Sequence, residues 1–167
     1  MTNRERVMVS LEHRQPDRTP YSIGFTHKAY ERVAAYTGDK DFHKRLDNCL
    51  RGFGCAAANA WREVEKDVWE DEFGVRWNRS VDKDIGVVCN CLVTVDTLDT
   101  YVFPDPKAPT RFKDVEEWQK NGARDKYAYV DIGFSLFERA WTLTGMEELL
   151  VAMVSDPPFV HELMERI

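Results

Sequence analysis

Apolar residues recur every three to four positions along some stretches of the chain and every second position along others, and the changeovers mark its elements. From a cap at Thr2 or Asn3 to about His13, Val7, Met8 and Leu11 form the narrow stripe of a first helix. QPDRTP ends it, because Pro16 and Pro20 hold the connection extended. YSIGF at 21–25 has the β-branched and aromatic content of a short buried strand. HKAYERVAAYTG predicts a second helix, with Ala29, Tyr30, Val33 and Ala34 inward and Gly38 as its stop. DKDFHKRLDNCLRGFG predicts a third, with Phe42, Leu46, Cys49, Leu50 and Phe53 on one side, and CAAANAW at 55–61 reads as a fully buried strand.

From Val64 to about Phe103 the spacing shortens. VEKDVWEDEFGVRWNRSV, DIGVVCNCLVTV and TLDTYVF are alternating stretches broken by Gly74 and SVDKD, the pattern of an inserted hairpin or small antiparallel sheet. PDPKAP is a stiff linker, FKDVEEWQKNG a short helix stopped by Gly122, and KYAYVDIGF at 126–134 another strand. SLFERAWTLTG and MEELLVAMVSD follow as helices, and SDPPFVHELMERI starts a last one behind Ser155 or Asp156. No glycine, asparagine or polar tail closes that helix after Ile167, so the expectation is the front portion of a longer fold. The alternative is a complete small α/β domain. Strands separated by helices favour a parallel sheet with helical cover, open or curled into a barrel.

Composition narrows the function classes. The 167 residues carry a formal charge of −6, with 29 acids against 23 bases, which argues against binding a nucleic-acid backbone. No apolar run approaches the roughly 20 residues that cross a bilayer, and MTNRERVMV lacks a signal-peptide core, so the expected location is the cytoplasm. Cys49, Cys55, Cys89 and Cys91 are then expected to stay reduced. CNC at 89–91 would put two sulfurs on one strand face, half of a soft-metal site, but the CxxC spacing and second pair of a zinc knot are absent. The expectation is two small half-buried residues and no metal ligands.

Three segments carry a family resemblance. TNRERVMVSLEHRQPDRTP at 2–20 resembles the opening of the uroporphyrinogen decarboxylase family, DEFGVRW at 71–77 is similar to an insertion motif of its divergent members, and FERAWTLTGMEELLVAMVSDPPFVHELMERI at 137–167 looks like its mid-barrel segment. The resemblance implies an α/β fold: the N-terminal part of a (β/α)8 TIM barrel, incomplete, with an antiparallel hairpin insertion at 64–103, in one partial domain over 1–167. Such a ring closes only with all eight strands and typically needs about 250 residues.

The family holds enzymes that decarboxylate a tetrapyrrole without a cofactor and others that move methyl groups between a corrinoid and a thiol through zinc. For the former, the resemblance predicts two arginines after the first strand, where this chain has Phe25 and Ala29, and an aspartate after the second, where ANAW has Asn59 and Trp61. These departures count against heme-pathway decarboxylation and favour corrinoid-associated methyl transfer. The zinc ligands of relatives come from later strands, so zinc and a corrinoid belong to the complete enzyme and no cofactor is assigned to this chain.

His27 follows the first expected strand, where barrel enzymes place chemistry, and is the catalytic candidate; a helix-capping role competes with it. Lys28, Asn59, Trp61, Arg62, Glu138 and Arg139 are the substrate-binding candidates, Trp61 and Arg62 as a platform for a flat ring. Glu138 and Arg139 read equally as a solvated helical pair. Expected partners are a small-molecule substrate or a corrinoid protein. A second reading is a non-catalytic truncated barrel, an assembly module that self-associates through an open sheet edge.

Overall fold

The computed structural model describes residues 1–56, 60–121 and 124–167. In chain order the elements are α1 (Asn3–Leu11), α2 (His27–Thr37), β1 (Leu50–Gly54), β2 (Arg62–Glu65), β3 (Val68–Glu70), β4 (Arg76–Asn78), β5 (Val87–Val88), α3 (Lys113–Asn121), β6 (Tyr127–Asp131), α4 (Leu136–Thr144), α5 (Met146–Ser155) and α6 (Pro157–Arg166). They fall into two units, Met1–Cys55 with Phe112–Asp131, and Ala56–Arg111 with Ile132–Ile167.

In the first unit, β1 and β6 pair in parallel from Leu50↔Tyr127 to Gly54↔Asp131. Parallel neighbours need a crossover, and α3 is its helical part: the buried Phe53 of β1 meets Trp118 of α3 edge-on at 5.5 Å. Helix α1 starts on a reciprocal cap, Thr2 Oγ1 accepting from the Glu5 N–H at 3.1 Å and Glu5 accepting from the Thr2 N–H at 2.7 Å. Only Val7 of its stripe is buried; Met8 and Leu11 stay exposed. The other inward place belongs to Asn3, which donates to Asp47 at 2.6 Å and Asp125 at 3.1 Å.

Two expected elements fail here. YSIGF forms no strand ladder. Instead the Asn48 side chain accepts from the Ile23 N–H at 3.0 Å and donates to the Ile23 carbonyl at 3.1 Å, while the Cys49 N–H reaches the Tyr21 carbonyl at 2.8 Å. The third helix expected over 39–54 shrinks to a 3₁₀ turn at Phe42–Arg45, and its second half is β1. Glycine weakens a helix interior, and Gly52 instead admits the Tyr129 ring, whose atoms would stand 2.8 Å from a Cβ there. Of the strand expected at 55–61, Ala57, Ala58 and Asn59 lie outside the described residues, and Cys55, Ala56, Ala60 and Trp61 are not in a strand. Gly122, the expected stop of α3, also lies outside them.

In the second unit, β2, β3, β4 and β5 form an antiparallel sheet in that order. The expected insertion is therefore a sheet, but it spans Arg62 to Val88, and TLDTYVF adds no strand. Hydroxyls win locally there: the Thr94 N–H donates to Thr97 Oγ1 at 2.8 Å, and Thr97 Oγ1 donates to the Leu92 carbonyl at 3.2 Å, which closes a turn. Helix α4 opens on a Ser135–Glu138 capping box, and α6 on Asp156, which accepts from the Phe159 N–H at 3.3 Å with Pro157 in its first turn. The core joins Val75 and Trp77 of the sheet side to Val93, Leu98, Ala140, Leu143, Leu149, Val160 and Leu163. Each fully buried leucine there is worth about 1.5–3 kcal/mol. Among the described residues the parallel strands are β1 and β6, and no helix is long and apolar enough to cross a membrane.

Candidate functional site

The DEFGVRW segment closes on itself. Asp71 and Val75 bridge the base of a turn, with the Asp71 N–H on the Val75 carbonyl at 2.9 Å and the Gly74 N–H on the Asp71 carbonyl at 2.9 Å. Gly74 takes φ +77°, a left-handed conformation that suits glycine. The Asp71 carboxylate accepts four donors: the Phe73 and Val75 N–H groups at 2.9 and 3.0 Å on Oδ1, and Trp77 Nε1 at 3.2 Å and Arg139 Nη1 at 2.7 Å on Oδ2. Both members of the Asp71–Arg139 pair are buried, so charge and polar satisfaction coincide.

Aromatic rings surround that pair. The Arg139 guanidinium lies over Phe73 at 4.0 Å and Phe134 at 5.3 Å, and Trp77 stacks on Phe134 at 5.3 Å. Tyr101 donates its hydroxyl to the Phe73 carbonyl at 2.5 Å; burial, reinforced by the negative charge of Asp71, pushes its phenol up to about 12. Glu72 of the same segment receives Arg111 in two bonds of 3.0 and 2.6 Å, both side chains largely covered.

The opening segment of the first unit is paired in the same manner. Arg6 grips Asp17 with Nε at 2.7 Å and Nη2 at 2.9 Å, and Arg18 bonds Asp47. The Arg6 guanidinium holds the Asp17 carboxyl well below the usual carboxylate range; hydrogen bonds from the Asn3 amide and Arg18 lower the Asp47 carboxyl. The PDR stretch thus binds its helix and the run before β1.

His27 and Lys28 open α2 in the first unit, exposed on its first turn, with His27 Nε2 3.1 Å from Glu31. The cap of α2 is Thr26, which accepts from the Ala29 N–H at 3.4 Å. Phe25 and Ala29, standing where the resemblance expects arginines, serve packing: Phe25 meets Phe42 edge-on at 5.1 Å and Ala29 is half-buried. Asn59 lies outside the described residues.

The remaining candidates belong to the second unit. Trp61 and Arg139 share one aromatic cluster, linked through Trp77, which is 6.0 Å from Trp61, and Phe134. The face of Trp61 carries Arg79 at 4.3 Å, an internal cation in place of a ligand ring. Arg62 is exposed and bonds Glu70 across the β2–β3 pair. Glu138 caps its own helix, and Arg139 is a buried partner of Asp71 rather than half of a solvated pair. Asp71 and Tyr101, which organise the cluster, carry no role in the sequence reading; the aspartate three positions before Gly74 was the available signal for a side-chain-closed turn.

CNC does not extend β5. Cys89 Sγ donates to the Arg76 carbonyl at 3.4 Å and Cys91 Sγ to the Thr144 carbonyl at 3.2 Å. Among the described residues no three histidine, cysteine, aspartate or glutamate side chains gather as metal ligands. Compared with protein-family models, with curated proteins and with solved structures, the chain has no match.

Proposed function

We infer that this chain supplies the front strands and helices of a (β/α)8 enzyme of the uroporphyrinogen decarboxylase type, in the branch that moves corrinoid-linked methyl groups. The observation that carries the reading is the Asp71–Arg139 pair at 2.7 Å, because it ties two of the three resembling segments into one buried cluster. The parallel β1–β6 pair with its α3 crossover supports it, being the repeating unit of such barrels. The packing roles of Phe25 and Ala29 favour methyl transfer over tetrapyrrole decarboxylation, which needs forked cations for the substrate carboxylates.

The described residues offer no three-ligand set for zinc, and Trp61 already stacks on Arg79, so no chemical step is assigned to them. Their part is to build the wall on which later strands place the reacting groups. In the test, methylcobalamin and a small thiol are incubated with the chain alone and with the product of the complete reading frame, and loss of the methylcobalamin absorbance is followed. Transfer by the complete product and none by the chain alone is expected. Decarboxylation of uroporphyrinogen without methyl transfer would overturn the assignment.

The exposed strand β6 favours a second reading, self-association. Val130 is 64% exposed and Tyr129 45%, and among the described residues β6 pairs only with β1. A stable dimer of the chain in sedimentation, abolished by Val130→Lys, is its expected signature; a monomer excludes it.

A further inference from the structure

We propose that Cys89 and Cys91 form a vicinal dithiol that takes a soft d¹⁰ cation of the copper(I) kind, with the Met146 thioether as the third sulfur. Both thiols line one surface groove, whose wall continues through Trp141, Gly145 and Met146. Both are free of disulfide and exposed, and each makes only the carbonyl contacts of an uncommitted S–H group.

The backbone that presents them is pinned on both sides. The Cys89 N–H donates to the Arg76 carbonyl at 2.9 Å. Between the cysteines, Asn90 accepts from the Arg76 N–H at 2.8 Å and donates to the Gly74 carbonyl at 2.9 Å. Just beyond, the Leu92 and Val93 N–H groups both donate to the Leu143 carbonyl, at 2.9 and 3.0 Å. An entering ion has little chain left to order, which is where a preorganised site gains affinity.

The ligand set selects the ion. Zinc in a structural site wants four nitrogen or sulfur ligands, and no third histidine, cysteine or carboxylate joins these two among the described residues. Two thiolates and a thioether suit a soft monovalent ion. On binding, each S–H bond breaks, its proton passes to solvent and the sulfur pair forms the bond to copper; the copper keeps its oxidation state. The site is independent of the methyl-transfer reading and stands or falls by itself.

The experiment is an anaerobic competition titration of the chain against the copper(I)–bicinchoninate complex, read by loss of the chelator's colour. One ion per chain is expected. Cys89→Ser and Cys91→Ser should each weaken binding by at least about 100-fold, and Met146→Leu by about 10-fold. Serine retains a donor for the same carbonyls, and far-UV circular dichroism confirms that each variant is folded. Cys55→Ser, in the other unit, should leave affinity unchanged. As a check on the unaltered chain, copper(I) should protect Cys89 and Cys91 from iodoacetamide, located by peptide mass. Wild-type affinity in either serine variant, equal weakening by Cys55→Ser, alkylation undiminished by copper, or one ion per two chains would overturn the proposal.

Discussion

At the scale of single residues, Asp71 decides most in the second unit, because one carboxylate meets four donors: two backbone N–H groups, the Trp77 indole and the Arg139 guanidinium. Asp71→Asn turns an NH₂ group toward donors and leaves the Arg139 charge buried without its counter-ion. A loss of about 3–5 kcal/mol is expected in urea unfolding followed by tryptophan fluorescence. Adding Arg139→Met should restore part of it, since the stranded charge is then gone; full additivity of the two losses would refute the pairing. Tyr101 offers a second readout. Its raised phenol means that stability is constant below about pH 10, the unfolded value, and falls as pH rises from there toward about 12. In a near-ultraviolet alkaline titration one of the six tyrosines should ionise late, and Tyr101→Phe should remove that late step.

At the scale of elements, what was legible in the sequence was what local chemistry controls. Capping at Thr2 and Asp156, the half-buried residues of α2 and its stop at Gly38 all depend on neighbours within a turn or two. The expected third helix failed because β1 finds its partner far along the chain, Leu50 opposite Tyr127, and helical spacing of Phe42, Leu46, Cys49 and Leu50 carries no trace of that pairing. The site was half legible for the same reason. DEFGVRW stood out as a segment, but Asp71 meets Arg139 across 68 positions, so Arg139 read as a substrate-binding candidate or half of a solvated helical pair. The β4–β5 turn gives a direct test. Gly86 has φ +90°, and a Cβ would stand 2.8 Å from the Asn78 carbonyl oxygen. Gly86→Ala should therefore cost more than about 1 kcal/mol, with loss of β5 protection in hydrogen exchange; an unchanged exchange pattern would count against this turn.

At the scale of the whole molecule, acid should act in part through carboxylates that are hydrogen-bonded or ion-paired when folded. Asp17, Asp47, Asp41, Asp67, Glu5 and Glu70 are all held below their ordinary values by hydrogen bonds from cations, amides or caps. A depressed folded value means stabilisation that is present above the unfolded value, near pH 4, and lost as pH falls through the folded one. Urea midpoints should hold between pH 7 and 5 and drop below 4. Arg6→Gln, which leaves Asp17 only the Arg18 N–H and the N-terminal ammonium, should lower the neutral plateau slightly and flatten the acid limb; parallel curves would show that the Arg6–Asp17 contact contributes nothing.

Asn48 and Asn90 have a consequence for ageing. Each sews one stretch of backbone to another through a carboxamide that gives and receives in the same plane. Spontaneous deamidation would gain one dalton and turn the giving side into a second acceptor, set against the carbonyl of Ile23 or Gly74. Stored protein would then come unstitched at two defined seams while its composition hardly changed.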